Sequence, residues 1–193
     1  MGYTITNMPN IFYLLGLVIA LTVHEFCHAF TADYLGDPTP RSQGRLTLNP
    51  LAHLDPLGTI MLILAGFGWG KPVSIDPYNF QKPKRDELLT ALSGPVSNLV
   101  LAIIFSLIFR FLSFPILIPF IQINLILGIF NLLPLPPLDG SKVLLNLLPQ
   151  NIYHRWQPEL DRYGPILLLL LFITGFLGPL LYPILNLFLS ILV

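Results

Sequence analysis

The sequence has 193 residues, of which 54% are hydrophobic and only 10% charged, and ten Lys and Arg balance ten Asp and Glu. Soluble domains carry about 25% charged residues, so this chain has too little charge to coat a water-facing surface and reads as an all-α polytopic membrane protein. Zero net charge without a basic patch excludes a nucleic-acid partner, and the single cysteine, Cys27, excludes a disulfide framework or a cysteine-built zinc finger.

The first nine residues contain no Lys or Arg, and no small-residue cleavage site follows the first apolar run. That run, residues 11–34, is therefore expected to stay as a membrane helix rather than leave as a signal peptide. It is unusual in carrying His24, Glu25, His28 and Asp33 in its second half. The second apolar run, residues 57–69, would reach about 20 Å as a helix, against a hydrocarbon core of about 30 Å. A re-entrant or interfacial segment is expected, and Gly58, Gly66, Gly68 and Gly70 suit irregular backbone.

Residues 88–114 are long enough to span. Residues 115–133 form the fourth run, and Pro115 separates the two into an antiparallel helical hairpin. Next comes Pro134-Leu135-Pro136-Pro137, expected to be extended because consecutive prolines forbid a regular helix. The last run, residues 164–193, would measure about 45 Å, more than one comfortable span. Gly175, Gly178 and Pro179 leave both a kinked helix and two shorter helices open. The polar stretches 35–56, 71–87 and 146–163 are too short to fold alone, so residues 1–193 are expected to form a single membrane-embedded domain.

If residues 57–69 do not cross, every Lys and Arg except Arg110 falls on one side of the membrane. The positive-inside rule makes that side cytoplasmic and places the N-terminus outside, as in a multi-pass protein of the cell membrane.

The chemistry concentrates in His24-Glu25-Phe26-Cys27-His28. Histidines at i and i+4 project from one helical face, one turn apart, as two imidazole ligands of a tetrahedral Zn²⁺ require. Glu25, next to the first histidine, stands where the general base of HExxH metalloproteases reaches a water without binding the metal. A catalytic zinc needs a third protein ligand and an open position. Candidates are Asp33, Asp37, His53, Asp55, Asp76, Asp139 and His154. Asp139 stands out, because the first and fourth runs both descend to the same side and end near His28 and Asp139. The alternative role for Asp139 is N-cap of a helix over 141–148. Cys27 reads as a packing thiol; a Zn–S bond would compete with Asp139.

Three blocks in this order resemble the site-2 proteases, the intramembrane zinc metalloproteases. They are HExxH at residues 24–28, Ser93-Gly94-Pro95-Val96-Ser97-Asn98, and Asn131 to Gly140 in the pattern NxxPxPxLDG, with an additional proline at Pro137. Together they cover about residues 10–148. The resemblance implies one Zn²⁺ per chain held by His24, His28 and Asp139, with Glu25 as catalytic base. It places Asn98 near the active site, positioning substrate or oxyanion; an interhelical hydrogen bond is the other reading, and Asn131 has the same two. The segment 44–58 looks like family members without added domains, no PDZ or CBS domain is expected, and the resemblance implies a small membrane-associated β-hairpin, suggested here at residues 70–75. His53 within it is either a gating ligand or a satisfied loop histidine. The implied substrates are transmembrane proteins or peptides in lipid, cut near the cytoplasmic side, for signalling or for clearance of membrane-peptide remnants. The rival is a non-hydrolytic zinc-binding membrane protein or transporter.

Overall fold

The structure, a computed structural model, describes residues 11–65 and 68–193, the side chains of 63–65 excepted. Gly66 and the first nine residues, invoked above, lie outside the described residues.

Helix α1 (Ile11–Tyr34) is an uninterrupted apolar run of 24 residues, about 36 Å long. It stops at Gly36, whose φ of 111° suits a residue without Cβ. There the Asp37 amide donates to the Ala32 carbonyl (2.9 Å) and the Gly36 amide to that of Asp33 (3.2 Å), the paired bonds of a Schellman stop. A single turn, α2 (Thr39–Ser42), and the ten-residue α3 (Pro56–Ala65) follow. At about 15 Å, α3 is too short to cross a bilayer.

Helix α4 (Pro83–Leu112) has 30 residues and starts five residues before the apolar run does. Pro83 has a φ suited to a first helical position, and the Asp86 carboxylate accepts from the Lys82 amide (2.9 Å), so the cap rather than hydropathy sets the start. Left-handed Ser113 (φ 52°) ends it, and a short 3₁₀ turn leads into α5 (Ile118–Asn131). Gly128 faces Pro95 and Leu99 at one end and Phe120 meets Phe105 at the other, as in the antiparallel hairpin expected around Pro115.

Two expectations are corrected by where the backbone amides go. Among the described residues no strand forms over 70–75; a lone antiparallel bridge joins Leu54 and Gly70. Pro72 has no amide, and the Val73 and Asp76 amides donate to the side chains of Glu25 (3.0 Å) and Asp37 (2.8 Å). A ladder needs those donors, and the segment is instead a strap tied to side chains. The Pro134–Pro137 segment is turned rather than extended: Leu135 donates to Leu133 and Leu138 to Leu135, with a cis peptide between Pro136 and Pro137.

Helix α6 (Asp139–Leu147) begins at Asp139 itself. The final run resolves into α7 (Gln150–Ile173), which starts well before residue 164, and α8 (Leu177–Leu192), bent by 81° at left-handed Gly175. Among the described residues, α1 and α4 are long and apolar enough to span a membrane; residues 115–131 form a shorter apolar helix, and the bent α7–α8 pair passes the same test together.

Helices α1, α4 and α5 pack on one another. Ala20, Ala29, Ala32, Ala91 and Ala102 are buried, so backbones approach closely, which is how helices associate in lipid. Ile121, Leu125 and Ala102 form the centre, with Leu185 and Leu189 of α8 packed against it.

Candidate metal centre and active site

His24 and His28 lie on the buried face of α1, with Nε2 atoms 3.0 Å apart. Asp139 Oδ2 lies 3.1 Å from the first and 3.2 Å from the second. These three atoms form the cluster able to hold a metal among the described residues. The N-cap of α6 is Leu138, and Asp139 is the first residue of the helix rather than its cap.

The far side of each imidazole fixes its tautomer. His24 Nδ1 meets Asn98 Oδ1 at 2.7 Å. The Asn98 Nδ2 donates to the Ala20 carbonyl (3.0 Å) and to Asn124 Oδ1 (3.1 Å), so Oδ1 is the acceptor and His24 Nδ1 carries the proton. His28 Nδ1 meets the Thr90 carbonyl at 2.7 Å and must donate as well. Both Nε2 atoms of the neutral rings therefore present lone pairs to a carboxylate oxygen, which repels them unless a cation lies between. Ligand atoms around tetrahedral zinc with bonds of about 2.0–2.1 Å stand about 3.3 Å apart. The donor set and its spacing fit zinc.

Gly94 explains how α4 comes so near: a Cβ there would lie 2.3 Å from His28 Nε2 and 2.7 Å from His24 Nε2. The glycine at 94 is a steric requirement of the histidine pair.

Known proteins resemble the chain over most of its length. The profile of peptidase family M50 matches residues 111–173. YwhC of Bacillus subtilis is 39% identical over 95% of this chain and 89% of its own length. The chain belongs to the M50 peptidases. Rip2 of Mycolicibacterium smegmatis is 33% identical over 85% of this chain and 67% of its own. Both are named as candidate zinc metalloproteases, and MJ0392 of Methanocaldococcus jannaschii, named a zinc metalloprotease, is 28% identical over half of this chain. No solved structure matches the chain. It is a zinc metalloprotease of the M50, or site-2 protease, family.

Within this M50 site, Glu25 is buried and its Oε2 accepts the Val73 amide. Glu25 also faces Arg45, with Nη2 3.9 Å from Oε2. Asn98 is fully buried and its amide is committed to α1 and α5. Asn131 donates to the Leu127 carbonyl (3.0 Å) and lines the cavity beside the cluster with Glu25, Val73 and Asp139. His53 is fully buried in the loop before α3, its Nε2 on the Thr47 carbonyl (2.7 Å), outside the cluster. Cys27 is half-buried and outside it too.

Two clefts adjoin the site. An apolar one, lined by Leu17, Leu21, Leu62, Leu127 and Phe130, reaches His24 and Glu25. A polar one, lined by Glu87, Lys142 and Asp161 among others, adjoins the cavity through Pro137. Arg45 and Val73 were not singled out as site residues from the sequence. Arg45 is one of ten scattered cations and Val73 acts through its amide, so neither carries a local signal.

Proposed function

We propose that the chain, as a single membrane-embedded domain over residues 1–193, is an intramembrane endopeptidase. It holds one zinc per chain on His24, His28 and Asp139 and cuts transmembrane or membrane-associated peptides near the cytoplasmic face. The observation that carries this is the convergence of three lone-pair atoms beside Glu25, where an apolar cleft meets a polar one. Zinc bound there supplies Lewis acidity, activating water near neutral pH and polarising the scissile carbonyl.

The chain's own residues supply the rest. Glu25 accepts the proton of the attacking water and delivers it to the leaving amine. Asn98 holds the His24 ring with its Nε2 lone pair towards the metal, the supporting role that outer partners of ligating histidines play. Asn131, on the cavity wall, orients the substrate backbone or its oxyanion. The apolar cleft takes the lipid-embedded part of the substrate, and the polar one admits water and the substrate's cytoplasmic flank. A substrate helix must unwind before its carbonyls can be attacked, which favours Gly, Pro or Asn near the cut. With the basic residues on the cytoplasmic side, the N-terminus lies outside. His53, held on the Thr47 carbonyl, is a loop histidine that bears on the site through its loop and not as a ligand. Regulated cleavage and clearance of peptide remnants both suit this arrangement.

The test uses the full chain in lipid vesicles with a membrane-spanning peptide, reading zinc content and cleavage together. Glu25→Gln should keep zinc and lose cleavage by about a thousandfold; cleavage at the parent rate removes Glu25 as base. Asp139→Ala should lose zinc and cleavage together, and full zinc occupancy removes Asp139 as ligand.

A further inference from the structure

Arg45 is the only Lys or Arg buried among the described residues, at 3% exposure. Removing a guanidinium from water is costly unless a charge partner and hydrogen bonds replace its hydration. Here the replacement is partial and directed at one place. Nη2 donates to the Lys71 carbonyl, Nε has no partner, and the carboxylate within 4 Å is that of Glu25.

The backbone around Arg45 is fixed. The left-handed turn at Gly44 (φ 68°) ends α2, the Arg45 amide donates to the Pro40 carbonyl (2.9 Å), and the Arg45 carbonyl accepts from Thr47 (2.9 Å). The side chain thus leaves a braced turn and reaches the strap over residues 70–76 and Glu25 at once. Two residues beyond the carbonyl that Arg45 holds, the Val73 amide donates to Glu25 Oε2. Pro72, Val73 and Ile75 of the strap wall the cavity beside the histidines, which Arg45 itself does not line. Strap, carboxylate and guanidinium close a ring.

We infer that Arg45 is a positioning residue for the reaction: by holding the Lys71 carbonyl and facing the Glu25 carboxylate, it fixes the general base and the cavity wall as one unit. A guanidinium kept only for packing would be replaced without loss by an apolar side chain of similar volume. The inference rests on the reading of Glu25 as base.

The experiment compares Arg45→Met, Arg45→Lys, Glu25→Gln and the double variant Glu25→Gln/Arg45→Met, each as full chain in vesicles. Zinc content, kcat, KM and melting temperature are read for each. Arg45→Met should keep zinc and KM while kcat falls roughly tenfold to a hundredfold, the cost of a misplaced catalytic group. Arg45→Lys should recover part of that loss. Arg45→Met should lower the melting temperature less in the Glu25→Gln background than in the parent, because its charge partner is already gone. The double variant serves even where Arg45→Met alone does not fold. Parent-like kcat in Arg45→Met, or an equal melting-temperature loss in both backgrounds, overturns the inference. Retained cleavage by Glu25→Gln would instead sink the base assignment, while the melting comparison still reports whether the two side chains are coupled.

Discussion

Helices α1 and α7 have the same length, 24 residues, yet α1 buries eight of them and α7 only Gly164. The eight in α1 include Thr22, His24, Glu25 and His28, whereas the apolar half of α7, from Ile166 to Ile173, is exposed on most sides. The second half of α7 is as apolar as α1, so hydropathy does not separate these two stretches. What separates them is polar commitment: α1 carries groups that cannot face lipid unpaired, and α4 and α5 close around it with Thr90, Asn98 and Asn124. Helix α7 carries no such debt through its apolar half and presents Leu and Ile to hydrocarbon, where further packing gains little.

The comparison can be broken at its tightest point. Gly94→Ala places a methyl against both imidazole edges and should lower zinc affinity and cleavage by about a hundredfold or more, since ligand geometry tolerates little displacement. Zinc retained at parent affinity would mean that α4 can withdraw from α1 freely. A smaller effect is expected for Asn98→Ala, which removes the acceptor of His24 Nδ1–H but no ligand. Zinc titration should report about a tenfold to hundredfold loss, and an unchanged affinity would show that the ring needs no such support.

Beyond the helices, Asp37 provides a stability test with a defined pH sign. Its buried carboxylate accepts from the Thr39 amide (3.0 Å), the Asp76 amide (2.8 Å) and Asn79 Nδ2 (2.8 Å). Burial pushes its pKa up, but these bonds outweigh burial and bring it below the ordinary value. A depressed folded pKa gives stability that is present above the unfolded pKa of about 3.9 and lost as pH falls through the folded value. Asp37→Asn should therefore cost about 2 kcal/mol at neutral pH, and the gap from the parent should narrow below about pH 4. A gap independent of pH would remove the charge from the account. The smallest effect belongs to α7: Leu169→Ala, at a position 57% exposed, should change stability in lipid by less than about 0.5 kcal/mol. A loss several times larger would reveal a partner covering α7.

The histidine spacing made His24 and His28 legible as a pair, because it depends on periodicity; the descent of two runs left Asp139 open between ligand and helix cap, and the resemblance over residues 131–140 pointed to it, beside the pair as the fold has it. The hairpin around Pro115 was legible because it depends on the length of its two runs. The strap was misread as a hairpin because its amides bond to Glu25 and Asp37, from segments about forty residues away; local composition cannot announce such partners. The start of α4 at Pro83 depended on one carboxylate cap, and the bend between α7 and α8 on the left-handed conformation of Gly175, each lying below what an apolar window resolves. Arg45 was visible only as a charge on the cytoplasmic tally; its burial against Glu25 is a tertiary fact.

His28 and Asp139 stand 111 residues apart in the chain and 3.2 Å apart in the fold. Synthesis therefore delivers the two histidines long before the carboxylate that completes the set. Until α4, α5 and the proline turns have been threaded into the bilayer and have carried Asp139 back to α1, the nascent chain possesses a motif but no enzyme. On the proposed ligand set, the protease is in this way barred from cutting anything, itself included, before its own insertion is nearly finished.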